Sequence, residues 1–317
     1  MRVIFWGTRG SLPATVDEHR TRGKIRRAVI EAIHQGIDDP DKVDSFLDSL
    51  PFSIRGTHGT NTACVEIRAE GDARIICDAG TGLRDFGNDY LAENRGKSGE
   101  FHIFISHPHW DHIQGFPFFR PSYLPGNRVV IYGCHENLEE IFRKQQEPPT
   151  FPIDFDYLSA DISFKRLAPA TTHIIAGFRI TPLAQNHPGD SYAYKFEKNG
   201  QKVVYSTDNE HKDDAEKEDY PFLDYIRDAD LLVFDAQYSF SEAVALKEDW
   251  GHSSNVTGVE LAKRAGVKTL CLFHQEPTYT DEALDEYLAK TVRYAKLHMK
   301  EQPLNVLLAR DGLVVEI

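Results

Sequence analysis

The chain has 317 residues, 41% hydrophobic and 27% charged, a composition that suits one large globular domain or two small ones. Its net charge of −13 argues against a large nucleic-acid footprint, because polyphosphate binding leans on Lys and Arg to displace counterions. No stretch reaches the roughly 18 apolar residues of a membrane span, and the apolar run in "MRVIFWGTRG" is too short for a signal-peptide core. A cytoplasmic protein with no membrane partner is expected. Cys64, Cys77, Cys134 and Cys271 stand apart, so neither a CxxC zinc site nor a disulfide framework is suggested.

In chain order, "VIFWG" (3–7) reads as a short buried strand. The segment 14–56 reads as a two-helix insertion. "IRRAVIEAI" places Ile25, Ala28, Val29, Ala32 and Ile33 on one stripe, closed by Gly36. Asp39 then caps a second helix, with Pro40 in its first turn and Val43, Phe46, Leu47 and Leu50 on one face. "ACVEIR" and "RIICDAG" follow as strands around Gly71-Asp72. "HIFIS", "RVVIYG", "ISFKRL", "FRITPLA", "SYAYKFE" and "KVVYSTD" continue the series, the last pair joined by a hairpin turn at Asn199-Gly200. "LLVFDA" and "TLCLFH" are buried strands; the helix between them starts near Ser254 or Asn255 and stops at Gly266. A helix at about 281–300 precedes a closing hairpin, "NVLLARDGLVVEI", turned at Asp311-Gly312. Without repeats or long linkers, this predicts an α/β chain, 1–317, with sheets covered by helices.

Several polar residues share one placement, directly after an apolar strand. "IFIS" leads to His107, His109, Asp111 and His112; later strands lead to His187, Asp208, Asp235 and His274. Sites in layered α/β folds form where such strand-end loops converge. Imidazole nitrogen and carboxylate oxygen suit divalent zinc, manganese or iron, zinc first. His107 and His109 can face one ion while Asp111 and His112 face a neighbour, with Asp208 bridging. Two ions about 3.5–4 Å apart would activate water and neutralise charge on an attacked phosphoryl or carbonyl group. His19, His34, His58, His102, His135, His173, His211 and His298 read as surface or core histidines.

The ordered motifs "GTRGSLP", "GTNTACVEI", "CDAGTGL", "SHPHWDH", "NHPG", "STDNE" and "LFHQEP" resemble the metallo-β-lactamase fold metallohydrolases over nearly the whole chain apart from 14–56. The resemblance implies an αββα sandwich of two mixed sheets with outer helices and a site at one edge. It implies His107, His109, His187 and Asp208 as ligands of one ion, and Asp111, His112, Asp208 and His274 as ligands of the second. Asp111 as general base stays open beside its ligand role. Asp78 in "CDAG" would orient ligands.

"DLLVFDAQYS…DWGHSSN" resembles the ribonuclease Z branch, where an acidic residue and a histidine flank the metals; Asp235, where the family usually has glutamate, and His252 map onto that pair. A histidine so held can protonate a leaving oxygen. Residues 113–186 offer no basic arm for tRNA, so the expected substrate is a small phosphodiester such as a cyclic nucleotide. The alternatives are an RNA-end ribonuclease, a lactone, thioester or β-lactam hydrolase, and a non-catalytic ligand sensor. A basic cluster at Arg20, Arg22, Lys24, Arg26 and Arg27 suggests a helical lid whose Arg22 and Arg26 grip substrate phosphate, or else a solvated face or homodimer contact. Phe151, Phe155, Tyr157 and Trp110 are expected to pack rather than line a pocket.

Overall fold

The computed structural model describes residues 1–69, 71, 73–95, 97–240, 242–243, 249–298 and 303–317. Strands β1 (Arg2–Gly7), β2 (Cys64–Arg68), β3 (Arg74–Cys77), β4 (Glu100–Phe104), β5 (Arg128–Gly133) and β6 (Asp161–Arg166) lie side by side in one mixed sheet. Strands β7 (His173–Ile175), β8 (Phe178–Gln185), β9 (Ser191–Lys198), β10 (Gln201–Ser206), β11 (Leu231–Asp235), β12 (Thr269–Phe273) and β13 (Asn305–Leu308) form the second, again in chain order. The Asn199-Gly200 turn is as expected: both residues have positive φ, and Lys198 pairs with Gln201. Part of the expected Gly71-Asp72 turn, at Asp72, lies outside the described residues.

The closing hairpin does not form. β13 pairs in parallel with β12, whereas β14 (Val314–Glu316) pairs with β1 in the first sheet. The Asp311-Gly312 turn therefore carries the chain from one sheet to the other. Its local signal is the same as that of a hairpin; the two strands differ in which core they fill.

The sheets pack face to face. Val3, Phe5, Phe104, Val203, Tyr205, Leu231, Val233, Cys271 and Phe273 fill the space between them. Their alternate neighbours face outward and are also buried: Ile103 on the first sheet, and Val204, Leu232, Phe234, Leu270 and Leu272 on the second. A strand buried on both faces loses its polar alternation, which is why these strands read as continuous apolar runs.

The 14–56 segment is helical but has more pieces than two. It contains α1 (Glu18–Gln35), a 3₁₀ turn at Pro40–Lys42, α2 (Val43–Ser49) and α3 (Phe52–Arg55). Asp17 caps α1 through the Arg20 N–H, and Gly36 ends it at φ +64°. Asp39 caps the 3₁₀ turn rather than α2. The apolar stripe of α1 faces solvent, with Ile25, Val29 and Ile33 59%, 52% and 71% exposed. Lys24 and Arg27 face the body of the protein instead, bonded to Asp281 and Glu282. Ion pairs, not the β-branched stripe, set the rotation of this helix.

Among the described residues, five further helices cover the sheets. On the first, α4 (Gly82–Asn94) and, beyond the single turn α5 (Trp110–Ile113), α6 (Leu138–Gln145) bury Leu83, Phe86, Tyr90, Leu138 and Phe142. On the second, α7 (Pro221–Ile226), α8 (Asn255–Arg264) and α9 (Asp281–His298) bury Ile226, Val259, Leu284 and Tyr287. Ser254 caps α8 and Gly266 follows it at φ +69°, as expected. The last positions expected for α9, 299–300, lie outside the described residues. No helix of the described residues is long and apolar enough to cross a membrane.

Candidate metal centre

The C-terminal ends of β3, β4, β8, β10, β11 and β12 converge on one edge of the sandwich. Three residues just past those ends, Asp78, Asp208 and His274, have left-handed backbones at φ +60°, +52° and +63°. Each such non-glycine conformation costs about 1–3 kcal/mol and persists only where surrounding structure enforces it. Here it turns the side chain back across the strand ends. The loop carrying His107, His109, Asp111 and His112 is pinned to the "CDAG" turn: the Ala79 N–H donates to the His112 carbonyl at 2.7 Å and the Gly115 N–H to Ala79 at 2.9 Å.

The donor atoms form two groups that share Asp208. His109 Nδ1 and His187 Nε2 are 3.2 Å apart, and Asp208 Oδ2 lies 3.7 Å from His187 Nε2 and 3.6 Å from His107 Nε2. On the other side, Nε2 atoms of His112 and His274 are 3.2 Å apart and each lies 3.3 Å from Asp208 Oδ1. Asp111 Oδ2 completes this group, 3.2 Å from His112 and 3.1 Å from His274. The seven side chains that the sequence singles out as ligands are therefore together, and one carboxylate gives an oxygen to each half.

The outward atoms of these rings are held by the protein. His112 Nδ1 meets Asp78 Oδ2 at 2.8 Å, His187 Nδ1 meets the Gly251 carbonyl at 2.8 Å, and His274 Nδ1 meets Gln237 Oε1 at 3.2 Å. His107 Nδ1 lies 3.0 Å from Ser106 Oγ, while its Nε2 is buried with no hydrogen-bond partner among the described residues. Fixing one ring nitrogen leaves the other's lone pair aimed inward, as metal-ligating histidines require. A buried imidazole nitrogen left unpaired is costly unless something else takes its lone pair. The donor set fits divalent cations.

The electrostatics agree. Burial opposes ionisation of Asp208, but the neighbouring His274, His112 and His107 outweigh it and hold its carboxyl well below the usual range. Asp111 is likewise held low, against burial, by His112 and His274. Burial, then repulsion from His112, pushes His107 well below its ordinary value and so keeps it neutral. Against burial, Asp111 and then Asp208 raise His112 well above its ordinary value, so the paired carboxylates draw in positive charge, which a divalent cation can supply in place of that proton.

Asp235 ends β11, fully buried. Its Oδ2 meets His252 Nδ1 at 2.8 Å and accepts the Asn209 N–H at 3.1 Å; its Oδ1 accepts the Gln237 N–H at 3.1 Å. Both oxygens are thus committed, so Asp235 orients His252 although both lie within ligand range of Asp208 and His274. The aspartate side chain is long enough for this pairing. Burial lowers His252, but Asp235 and then Asp208 outweigh it and raise the ring to about 9.

Other expectations fare differently. Arg22 points to solvent, 3.9 Å from Glu18, and Arg26 lines a cavity between α1 and the start of α9; among the described residues neither bonds to a member of the metal cluster. Phe155 is in the core as expected, but Tyr157 is 76% exposed. Trp110, expected to pack under its loop, is 82% exposed beside the ligands. Sequence reading missed Ser106, Tyr205 and Gln237 as supports. Tyr205 donates to Asp78 at 2.7 Å, and its only sequence signal is a large polar-tipped ring directly after two valines. The Ser11 N–H donates to Asp111 Oδ2 at 2.7 Å, a backbone role that the motif "GTRGSLP" contains but that residue type does not reveal.

The family model described as "Beta-lactamase superfamily domain" matches residues 73–275. A ribonuclease Z of Haloarcula marismortui is 23% identical over 299 residues, covering 75% of this chain and 91% of its own. Among solved structures, the metallo-β-lactamase fold protein YhfI of Bacillus subtilis aligns with a TM-score of 0.64 and 20% identity, covering 100% of this chain and 98% of its own. A diphosphatase of the PhnP family aligns with a TM-score of 0.61 and 19% identity, covering 100% and 97%.

Proposed function

We propose that this chain, which belongs to the metallo-β-lactamase superfamily of metallohydrolases, hydrolyses a small phosphodiester, such as a cyclic nucleotide, at two divalent ions, zinc first. The observation that carries this reading is the division of Asp208, with Oδ2 toward His107 and His187 and Oδ1 toward His112 and His274. In it, His107, His109, His187 and Asp208 would hold one ion, and Asp111, His112, Asp208 and His274 would hold the other. Such ions supply water of lowered pKa and neutralise charge on the phosphoryl oxygens.

The chain's own residues do the rest. Asp78, Gln237, Ser106 and the Gly251 carbonyl fix the ligand rings. His252, held by Asp235, donates a proton to the departing alkoxide as its bond to phosphorus breaks and the bond from water oxygen forms. The proton lost by water leaves to solvent, and a phosphate monoester and an alcohol result, joined in one ring-opened molecule when the diester is cyclic. Asp111, with Oδ2 taken by Ser11, His112 and His274, serves as a ligand in this account.

An RNA substrate is the second reading. It draws on the relative named ribonuclease Z, aligned over 75% of this chain. Turnover of bis(p-nitrophenyl) phosphate, then of cyclic mononucleotides, cyclic dinucleotides and short RNA, tests both. Preference for short RNA would replace the small-substrate reading. Hydrolysis of lactones or thioesters with no phosphodiester turnover would overturn it.

A further inference from the structure

Outside the metal centre, five basic side chains gather around a cavity of about 360 Å³ between α1 and residues 279–282. That is the size of a small-ligand pocket. Its lining carries Arg9, Arg20, Lys24, Arg26 and Arg27 against two carboxylates, Asp281 and Glu282, in a chain whose net charge is −13. Lys24 and Arg27 satisfy those carboxylates. Three guanidiniums are left facing the cavity without a full partner.

Arg9 is the telling one. It is 3% exposed and has no carboxylate within 4.0 Å among the described residues, although Asp281, Asp311 and Glu276 lie near enough to favour its charge against burial. Its Nε donates to the Gly59 carbonyl at 2.9 Å and its Nη1 to Glu276 and Tyr279 carbonyls, each at 3.2 Å; its Nη2 has no acceptor among the described residues. Buried charges are as a rule paired, because removing one from water costs several kcal/mol. Arg26 has no hydrogen bond or ion pair among the described residues, and Arg20 has only the Thr15 carbonyl at 3.1 Å and Asp17 at 3.9 Å. Gly23 lines the same space from inside α1, where glycine costs about 1 kcal/mol relative to alanine. A Cβ there would meet no atom, so the missing side chain keeps the space open.

We propose that this cavity binds a phosphate-bearing small molecule, with Arg9 at its base and Arg20 and Arg26 at its mouth. Planar guanidinium forks match phosphate oxygens, and three of them suit a dianion better than a single carboxylate. The cavity and the metal centre share the segment 9–11 as a wall. Arg9 faces the cavity, Gly10 lies against the His274 ring, and Ser11 donates to Asp111. The phosphate can therefore be a second one on the substrate itself or belong to a separate ligand that acts through this wall.

Calorimetric titration of inorganic phosphate into the full chain tests the site without using hydrolysis, so its failure is separate from failure of the phosphodiesterase reading. The double variant R20Q/R26Q and, independently, Gly23→Leu, which keeps every charge but fills the space, should each weaken binding about tenfold or more. Phosphate binding equally tightly to wild type and both variants, or not binding wild type at all, overturns the proposal. A kinetic arm, which does rest on the phosphodiesterase reading, identifies the source. KM rising in R20Q/R26Q only for diesters bearing a second phosphate assigns the site to the substrate. Weakened phosphate binding with no KM change for either kind of diester assigns it to a separate ligand.

Discussion

His252 Nδ1 lies 2.8 Å from Asp235 Oδ2 and 3.9 Å from Asp208 Oδ2, so a buried carboxylate holds this ring at the border of the ligand cluster. A ring fixed by its Nδ1 can present Nε2 to a leaving group. His252→Ala should lower kcat by about 10²–10⁴-fold for a diester with an alkoxide leaving group, and far less for p-nitrophenolate, which departs without a proton. Asp235→Asn should move both rates in the same direction. Equal losses for the two leaving groups would remove His252 from the proton-donor role.

Asp78 acts on the centre through His112. Its Oδ1 accepts the Ser106 N–H at 2.7 Å, while Oδ2 takes Ser106 Oγ, Tyr205 OH and His112 Nδ1. Asp78→Asn would turn an amide group toward three donors. Metal affinity, read by competition with a chelator, should fall about 10–100-fold, with the sheets intact by circular dichroism. Unchanged affinity would leave Asp78 a turn residue only.

Gly10 is fixed by close approach. A Cβ built there would lie 2.5 Å from His274 Nδ1, against an aromatic ring rather than a flexible chain end. Gly10→Ala should displace His274 and lower both bound metal and turnover. Normal metal content and kcat in that variant would show that the ring can yield.

Much of this centre is legible in the sequence because strand ends carry it. Each ligand follows a buried strand, and a strand buried on both faces is a strong pattern. The Asp311-Gly312 turn shows the limit: turn chemistry reports a reversal, not which sheet receives the next strand. Helix α4 went unread because glycines at 82 and 87 and polar residues between Leu83, Phe86 and Tyr90 blur its period. The exposure of Trp110 and of Ile25, Val29 and Ile33 is a tertiary outcome, set by where loops and ion pairs place them. Arg9 lies outside the basic cluster at 20–27; only its burial with no carboxylate within 4.0 Å among the described residues distinguishes it.

His211 links the site region to acid stability. It stacks on Phe234, and its Nδ1 and Nε2 lie 2.7 Å from Tyr220 OH and 3.0 Å from Asn209 Nδ2. Burial pushes it down to about 3. A folded-state value below the unfolded one means the unfolded chain binds the extra proton, so stability is lost as pH falls below about 6.5. At about pH 5 the loss from this one ring is on the order of 2 kcal/mol. His211→Gln should flatten that part of the denaturation profile between about pH 7 and 5; an unchanged slope would place the acid sensitivity elsewhere.

The central claim is that Asp208 joins two metal sites, and metal content measured with turnover tests it most directly. Purified wild-type chain should carry about two divalent ions per molecule. Chelation should abolish hydrolysis of bis(p-nitrophenyl) phosphate, and zinc should restore it. Asp208→Ala should lose bound metal and turnover together. A wild-type chain that binds no divalent metal, or an Asp208→Ala variant that keeps full metal and full activity, would contradict the account.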